Sequence, residues 1–221
     1  MTTKKIYLLP GLGADARMYE PQLKVLRNTK VLEHFVPEKK DTLATYAQKI
    51  STQIDTTTPY ILIGTSLGGM VAMELSKILQ PDKVILLASV KARSELPIWM
   101  RSMKYLNAHK LMSGKNFRDL SNANIRRLIS KRDTRVAQLL RDMHDSANLE
   151  FIEWAINAIV KWKSPQEIRP DIIHLHGTAD RLFPFRNAKN AIPIKGGSHV
   201  MNLTQPHDIN RVLLEILEEV V

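Results

Sequence analysis

The sequence predicts an α/β protein built around a parallel β-sheet. Short apolar runs alternate along the chain with longer segments of helical periodicity, a rhythm typical of this class. Most of the short runs are continuously apolar, as expected for strands that helices cover on both faces. Of the 221 residues, 44% are hydrophobic, so one domain, or one domain with a large insertion, can bury a true core.

Six segments have the length and composition of strands: residues 5–9, 30–36, 60–64, 83–89, 171–176 and 192–195. Helical patterns follow them at residues 19–28, 42–54, 67–79 and 208–219. The second of these carries Leu43, Tyr46, Ala47 and Ile50 on one face, and the third stops before Pro81, which a helix does not accommodate in its interior. The order of elements therefore predicts β-α units.

One long interruption separates the fourth strand from the fifth. Residues 91–165 contain no strand pattern but four helical segments, at residues 97–112, 116–130, 134–146 and 149–162. We therefore expect a helical subdomain over 91–165 and a core domain formed by 1–90 and 166–221. All three tryptophans of the chain, Trp99, Trp154 and Trp162, lie in this insert. They are expected chiefly to fill its core, and any that face a pocket would favour an apolar acyl or alkyl group.

The strongest local motif is Gly64-Thr65-Ser66-Leu67-Gly68, placed between the third strand and its helix. A Gly-x-Ser-x-Gly in this position is typical of a nucleophile elbow, where a strained turn exposes the serine hydroxyl. The alternative is a plain strand-helix turn with Ser66 as a helix cap.

A serine nucleophile needs a base, and the base needs an orienting carboxylate. Asp180 follows the fifth strand and His199 follows the sixth, so both fall at the carboxyl edge of the sheet, where Ser66 also lies. The order Ser, acid, His along the chain is typical of enzymes whose serine lies on a nucleophile elbow. The sequence thus predicts a Ser66-His199-Asp180 triad.

On these motifs the chain resembles the α/β-hydrolase fold serine hydrolases over essentially its whole length. The resemblance implies strand order 2-1-3-4-5-6, absence of the family's first two strands, and a helical cap at 91–165. It also implies an oxyanion hole formed by the backbone N–H groups of Leu12 and Leu67, because Pro10-Gly11-Leu12-Gly13 follows the first strand. Proline stands where the family usually carries histidine.

The function implied is hydrolysis of a carboxylic ester or related acyl substrate through an acyl-enzyme, with no cofactor or metal. Thioesterase, lactonase and perhydrolase chemistry remain open. So does a low-turnover receptor that binds ligand and keeps the triad.

Three competing interpretations use some of the same residues. Residues 11–16 fit a dinucleotide-binding Gly-x-Gly-x-x-Ala pattern with Glu33 as the acidic partner, but the motif alone is weak. His174 and His176 share a strand face and could bind a metal with Asp180, although no third convincing ligand accompanies them. Asp208 could replace Asp180 as the acid, but it falls where the last helix begins.

Composition excludes several classes of protein. The chain has no cysteine, which removes disulfide scaffolds, thiolate metal sites and thiol nucleophiles. No apolar run reaches the roughly 20 residues of a membrane span. The N-terminal apolar run is too short for a signal peptide, so we expect a cytoplasmic protein.

The net charge of +10 is concentrated in the insert. Residues 91–165 contain 15 Lys and Arg against 7 Asp and Glu, whereas the rest of the chain contains 17 and 15. A solvated helical surface explains this, but so would docking of an acidic acyl carrier protein or an anionic lipid surface, with Arg126, Arg127, Lys131 and Arg132 as the basic cluster. No nucleic-acid motif accompanies the charge, so nucleic acid is not expected as a partner.

Overall fold

The computed structural model describes residues 4–106, 113–125, 128–129, 133–165 and 171–218. Its strands are β1 (Lys5–Leu9), β2 (Thr29–Val31), β3 (Tyr60–Thr65), β4 (Lys83–Leu87), β5 (Asp171–Gly177) and β6 (Ile192–Ile194). They form one sheet in the order β2-β1-β3-β4-β5-β6, with every neighbouring pair parallel. The predicted six strands and their order are confirmed.

The α-helices within the described residues are α1 (Glu20–Leu23), α2 (Leu43–Ile50), α3 (Leu67–Ile78), α4 (Ile98–Leu106), α5 (Gly114–Ala123), α6 (Thr134–Ser146), α7 (Leu149–Lys161), α8 (Met201–Thr204) and α9 (Pro206–Glu218). Short 3-10 turns occupy Ala16–Tyr19, Ser51–Gln53, Arg93–Glu95 and Phe185–Asn187. In the part of the chain described, no helix combines the length and apolar character needed to cross a membrane.

The central strand β3 shows why the predicted strands are continuously apolar. Ile61 and Ile63 pack into one core cluster together with Leu213 of α9, whereas Leu62 packs into a second cluster with Met70 of α3. All six residues of β3 are buried. Because successive side chains point to opposite faces, a strand covered by helices on both sides needs apolar residues at every position.

Strand β2 is shorter than the predicted 30–36. Leu32 still donates its N–H to Leu8 O at 2.8 Å, but the chain then leaves the sheet. Phe35 turns toward helix α2, where its ring centroid lies 5.0 Å from that of Tyr46. The apolar residues after position 32 therefore bury themselves against a helix, which a local pattern cannot distinguish from burial in a sheet.

The helix predicted over 19–28 is also broken. The 3-10 turn Ala16–Tyr19 leads into α1, and Asn28 has a positive φ of 55°. Tyr19 is fully buried and donates its hydroxyl hydrogen to Leu9 O at 2.7 Å. This contact ties the short segment to the end of β1, where the chain enters the site.

The helical predictions for the insert hold in large part within the described residues, but the one for 116–130 is too long, because residues 124, 125, 128 and 129 lie outside α5. The prediction for 134–146 coincides with α6, and that for 149–162 exceeds α7 by one residue. Helix α5 begins at Gly114, two residues before the predicted start, and ends at Ala123. The predicted helical positions 107–112, 126–127, 130 and 219 lie outside the described residues.

The buried side chains of the insert join both core clusters of the sheet. Trp154 and Trp162 belong to the α2 and α3 side, whereas Leu140 and Met143 belong to the α9 side. Trp162 Nε1 donates to Glu74 Oε1 at 2.6 Å. The expectation that the tryptophans chiefly fill a core of the insert's own is therefore corrected for Trp154 and Trp162.

Candidate active site

Ser66 lies on a sharp turn between β3 and α3. Its backbone adopts φ 53° and ψ −118°, a conformation that is strained for a residue with a side chain. The turn is possible because Gly68 has no side chain: a Cβ there would lie 2.0 Å from Leu9 O. No capping hydrogen bond from the Ser66 side chain is formed, so the turn presents the hydroxyl instead of using it as a helix cap.

Two hydrogen bonds hold this turn against β4. Ser66 N donates to Leu87 O at 3.1 Å, and Ser89 Oγ donates to Ser66 O at 2.7 Å. Ser89 was not among the residues predicted to take part in the site. Its position just beyond β4, the strand that pairs with β3, could have indicated that Ser89 lies near Ser66.

The structure brings Ser66, His199 and Asp180 together. His199 Nε2 lies 2.9 Å from Ser66 Oγ, and His199 Nδ1 lies 2.8 Å from Asp180 Oδ2. Because a carboxylate only accepts, His199 Nδ1 carries the hydrogen and donates it to Asp180. Nε2 is then free to accept the Ser66 hydroxyl hydrogen.

Asp180 is buried but remains an ionised acceptor. Its Oδ1 accepts from the backbone N–H groups of Leu182 at 2.8 Å and Phe183 at 2.9 Å. Burial by itself would raise the pKa of Asp180, but the electrostatic influence of His199 and hydrogen bonds from His176, His199 and Phe183 N hold that pKa well below its usual range. The carboxylate is thus available to orient His199 at neutral pH.

The loop after β1 lies against the serine. A Cβ on Gly11 would stand 3.4 Å from Ser66 Cβ. Leu12 follows in this loop and lines the cavity above Ser66, and Leu67 is the first residue of α3. Within the described residues, neither backbone N–H has a protein acceptor. Of the two donors predicted for an oxyanion hole, Leu67 follows Ser66 in the chain, and Leu12 lies in the loop that packs against Ser66.

His34 supports this loop from below. Its Nε2 donates to Pro10 O at 3.2 Å, and the Tyr46 hydroxyl donates to its Nδ1 at 3.0 Å. Burial lowers the pKa of His34 to about 4, opposed by its contacts with the Pro10 and Gly11 backbone. The sequence analysis assigned His34 no role, since only the folded chain shows its contact with Pro10.

A cavity of about 480 Å³ opens above Ser66 and His199. Most of its wall is apolar, and the insert supplies much of the upper part from α4 to α7. The insert's apolar lining residues are Trp99, Met100, Met103, Phe117, Leu120, Leu128, Leu140, Ile156, Ile159 and Val160. Polar lining groups are few: Ser121, Asn124, His144 and Arg181 beyond Ser66 and His199. Among the described lining residues, Arg181 is the only Lys, Arg, Asp or Glu.

A family model described as "Alpha/beta hydrolase family" matches residues 6–212. The chain belongs to the alpha/beta hydrolase family. Among the curated proteins compared with this hydrolase, none matches it.

Solved structures share the fold of this hydrolase at low sequence identity. A thermophilic esterase from Thermogutta terrifontis, with malate bound, has a TM-score of 0.79 and 18% identity, covering 99% of this chain and 91% of that one. An esterase from Exiguobacterium antarcticum has a TM-score of 0.75 and 16% identity, covering 98% and 92%. ClbQ from the colibactin NRPS/PKS pathway has a TM-score of 0.66 and 16% identity over 100% of both chains.

The geometry of this hydrolase does not favour the dinucleotide interpretation. After Gly13 the chain enters a 3-10 turn and the four-residue α1, whereas a dinucleotide fingerprint opens a long helix whose N-terminus faces the pyrophosphate. Glu33 is exposed, and its N–H is bonded to the Gln53 side chain.

The structure also does not favour the metal site at His174 and His176 or Asp208 as the acid. His176 Nε2 donates to Phe183 O at 2.7 Å, and its Nδ1 lies 3.0 Å from His174 Nε2, so both ring nitrogens of His176 serve protein contacts. Asp208 lies in the first turn of α9, where it accepts from Gln205 Nε2 at 3.2 Å. Asp180, not Asp208, contacts His199.

Proposed function

We propose that this alpha/beta hydrolase is a serine esterase that cleaves a carboxylic ester or related acyl compound through an acyl-enzyme. The observation that carries the proposal is the unbroken hydrogen-bonded path from Ser66 Oγ through His199 to Asp180. Each group in this path has the donor or acceptor state that its role requires.

The first half of the reaction forms the acyl-enzyme. Ser66 Oγ attacks the carbonyl carbon while His199 Nε2 takes the hydroxyl proton, and Asp180 stabilises the imidazolium that results. The N–H groups of Leu12 and Leu67 receive the negative charge that develops on the carbonyl oxygen. His199 then gives its proton to the departing alcohol oxygen as the carbonyl re-forms.

The second half releases the acid. Water replaces the alcohol, His199 takes a proton from it, and the resulting nucleophile attacks the acyl carbon. The tetrahedral intermediate collapses, and the proton on His199 returns to Ser66 Oγ. Apart from the substrate and this water, every group in the scheme belongs to the chain.

The insert is proposed to act as a cap that selects the substrate. Its side chains form the apolar upper wall of the cavity, which suits an aliphatic or aromatic acyl group. The side chains of Trp99, Met100 and Met103 from α4 contribute to this wall, and methionine adapts readily to differently shaped apolar ligands.

The test is hydrolysis of p-nitrophenyl esters of increasing acyl length by wild type, Ser66→Ala and Ser76→Ala. Ser76 is a matched control because its buried hydroxyl donates to Met73 O at 2.7 Å within α3. We expect hydrolysis by wild type and Ser76→Ala, and a loss of about 10⁴-fold or more in kcat for Ser66→Ala.

A fluorophosphonate probe provides a second readout of the same proposal. It should label wild type and Ser76→Ala at Ser66 and fail to label Ser66→Ala. Absence of both ester turnover and labelling in folded wild type would reject the esterase, and would leave the receptor hypothesis of the sequence analysis as the better account.

A second candidate is hydrolysis of an ester carried on an acidic acyl carrier protein. It is favoured by exposed apolar and basic residues beside the cavity: Ile98 and Tyr105 of α4 are 73% and 80% exposed, Lys104 lies next to Tyr105, and Arg181 lines the cavity. The basic residues singled out from sequence, at 126, 127, 131 and 132, lie outside the described residues.

This candidate predicts a dependence on salt that a free ester lacks. kcat/KM for a carrier-linked ester should fall steeply with ionic strength and in Lys104→Glu, whereas kcat/KM for a p-nitrophenyl ester should change little. Equal salt dependence for both substrates would reject docking of the carrier while leaving the esterase intact.

A further inference from the structure

One buried polar group in the cavity has no part in the proposed mechanism. His144 of α6 is only 8% exposed and lines the cavity on the insert side. Its neighbours in the upper wall are mostly apolar, among them Leu140 and Ile156. Placing an imidazole in such a wall costs free energy unless its polar atoms are satisfied.

A chain of hydrogen bonds fixes the tautomer of His144. Asn122 Nδ2 donates to Asp145 Oδ1 at 2.8 Å, which turns the amide oxygen of Asn122 toward the imidazole. That oxygen lies 3.0 Å from His144 Nδ1. Because an amide oxygen only accepts, Nδ1 must carry the hydrogen, and Nε2 is left with a lone pair.

The Nε2 atom of His144 retains contact with solvent. Within the described residues it has no hydrogen-bond partner, yet it is not enclosed like the buried unpartnered atoms elsewhere in the chain. Burial lowers the pKa of His144, with a smaller opposing effect from Asp145. The ring is therefore neutral at pH 7, and Nε2 is an acceptor there.

His144 also lies beside the loop that flanks Ser66. A Cβ on Gly13 would meet His144 Cδ2 at 3.0 Å and Nε2 at 3.7 Å. Gly11, two residues earlier, is the position next to Ser66. With about 3.8 Å between successive Cα atoms, the imidazole lies within reach of a substrate whose carbonyl is at Ser66.

We propose that His144 Nε2 is a specificity site that accepts a hydrogen bond from a hydroxyl or amide N–H on the substrate, several bonds from the scissile carbonyl. The inference rests on the proposed esterase function and narrows its substrates to acyl or alkyl groups that carry a hydrogen-bond donor. An apolar wall with one oriented acceptor holds such a group in a single position and orientation.

The test compares p-nitrophenyl hexanoate, octanoate and decanoate carrying a terminal hydroxyl with the same esters carrying a terminal methoxy group. The methoxy compounds retain an oxygen but cannot donate. Wild type should prefer the hydroxyl ester over its methoxy partner, at the best chain length, by about tenfold in kcat/KM, as expected for one well-placed hydrogen bond.

Two substitutions of His144 distinguish the effect of the Nε2 acceptor from the effect of the aromatic ring. His144→Phe keeps an aromatic side chain but loses the acceptor, so the preference should fall to about one. His144→Gln offers an amide oxygen near the Nε2 position and should recover part of it. If His144→Phe does not fold, Asn122→Leu, which removes the acceptor that holds the tautomer, should also reduce the preference.

Binding to Ser66→Ala makes the test independent of turnover. Titration calorimetry with the methyl esters of the same hydroxy and methoxy acids should show about tenfold tighter binding of the hydroxyl compound, lost in the Ser66→Ala, His144→Phe double variant. No preference at any chain length, or a preference that survives His144→Phe, would overturn the inference. Ester turnover without such a preference would overturn the inference about His144 and leave the esterase proposal standing. Absence of turnover would count against the esterase proposal.

Discussion

The two walls of the cavity are built on different principles. The lower wall presents Ser66 and His199, with Asp180 buried behind His199, from loops at the carboxyl edge of the sheet. Backbone hydrogen bonds fix Ser66 and Asp180 directly. The upper wall is made of side chains on the helices of the insert. The residues of the proposed triad thus depend on main-chain geometry. The upper wall depends on side chains, some of which, such as Leu140, also belong to a core cluster of the sheet.

The charge of the molecule follows the same division. The insert carries 15 Lys and Arg against 7 Asp and Glu, and the remainder carries a nearly even 17 and 15. An excess of one sign is tolerated on helices whose outer faces meet solvent or a partner.

The largest effect is expected at the acid. In Asp180→Asn, the amide oxygen can still accept from Leu182 N and Phe183 N, but the amide NH₂ would then face His199 Nδ1 and favour the wrong tautomer. We expect kcat for a p-nitrophenyl ester to fall about 10³- to 10⁴-fold, as similar replacements do in other serine hydrolases. Because the pKa of Asp180 lies well below its usual range, the wild-type carboxylate stays ionised throughout neutral pH.

Asp208→Asn is the matched control, since Asp208 contacts Gln205 and not His199. It should leave kcat unchanged. A similar loss in both variants would mean that the lower wall does not owe its activity to the acid at position 180.

A backbone clash tests how rigid the lower wall is. In Gly68→Ala the new Cβ would stand 2.0 Å from Leu9 O, and neither main chain can move without parting β1 from α3. The free energy of unfolding should fall by more than about 3 kcal/mol. Gly196→Ala has the unfavourable φ of +68° but no atom within 4 Å, and should cost only about 1 kcal/mol. Urea unfolding that gave equal losses would contradict the close approach at Gly68.

That Ser66, Asp180 and His199 would lie together was predictable from sequence, because each is tied to a strand end. The Gly-x-Ser-x-Gly motif marks one turn, and the order of strands then brings Asp180 and His199 to the same edge. Strand lengths were less predictable: Phe35 continues an apolar run but packs on Tyr46. Local pattern records that a residue is buried, and tertiary contacts decide against what.

The upper wall was predictable only as helices. Apolar stripes predicted α6 to the residue, but they did not reveal that Trp162 would reach Glu74 or that His144 would face the cavity. These facts depend on how the helices are rotated over the sheet, which many small contacts determine together. His34 was missed for the same reason, since its partner Pro10 is 24 residues away in the chain.

A smaller effect is expected where the loop after β1 is supported. His34→Phe keeps the stacking on Phe151, whose ring centroid lies 4.4 Å away, but removes the hydrogen bond to Pro10 O. The loop that carries Leu12 should loosen, and kcat should fall roughly fivefold, the equivalent of about 1 kcal/mol for one hydrogen bond. His34→Gln keeps an N–H donor and should lose less. With a pKa of about 4, His34 is neutral above pH 6, so the ratio should not vary between pH 6 and pH 8.

The smallest effect concerns the joint between the two regions, where Trp162 of the insert donates to Glu74 of α3. Burial raises the pKa of Glu74, and the bond from Trp162 partly opposes that rise. A carboxyl with a higher pKa in the folded state stabilises the fold fully below its unfolded pKa of about 4.3, and this contribution is lost as the pH rises through the folded-state pKa. Glu74→Gln stays neutral and still accepts from Trp162.

Melting temperatures measured across this pH range should therefore diverge, with wild type losing stability relative to Glu74→Gln as the pH rises. At about 2–4 °C for each kcal/mol in a chain of this size, calorimetry resolves the difference. Trp162→Phe removes the donor that opposes the rise in the Glu74 pKa, so in that background the divergence should continue to higher pH and become larger. Parallel profiles for wild type and Glu74→Gln would mean that Glu74 does not titrate at this joint.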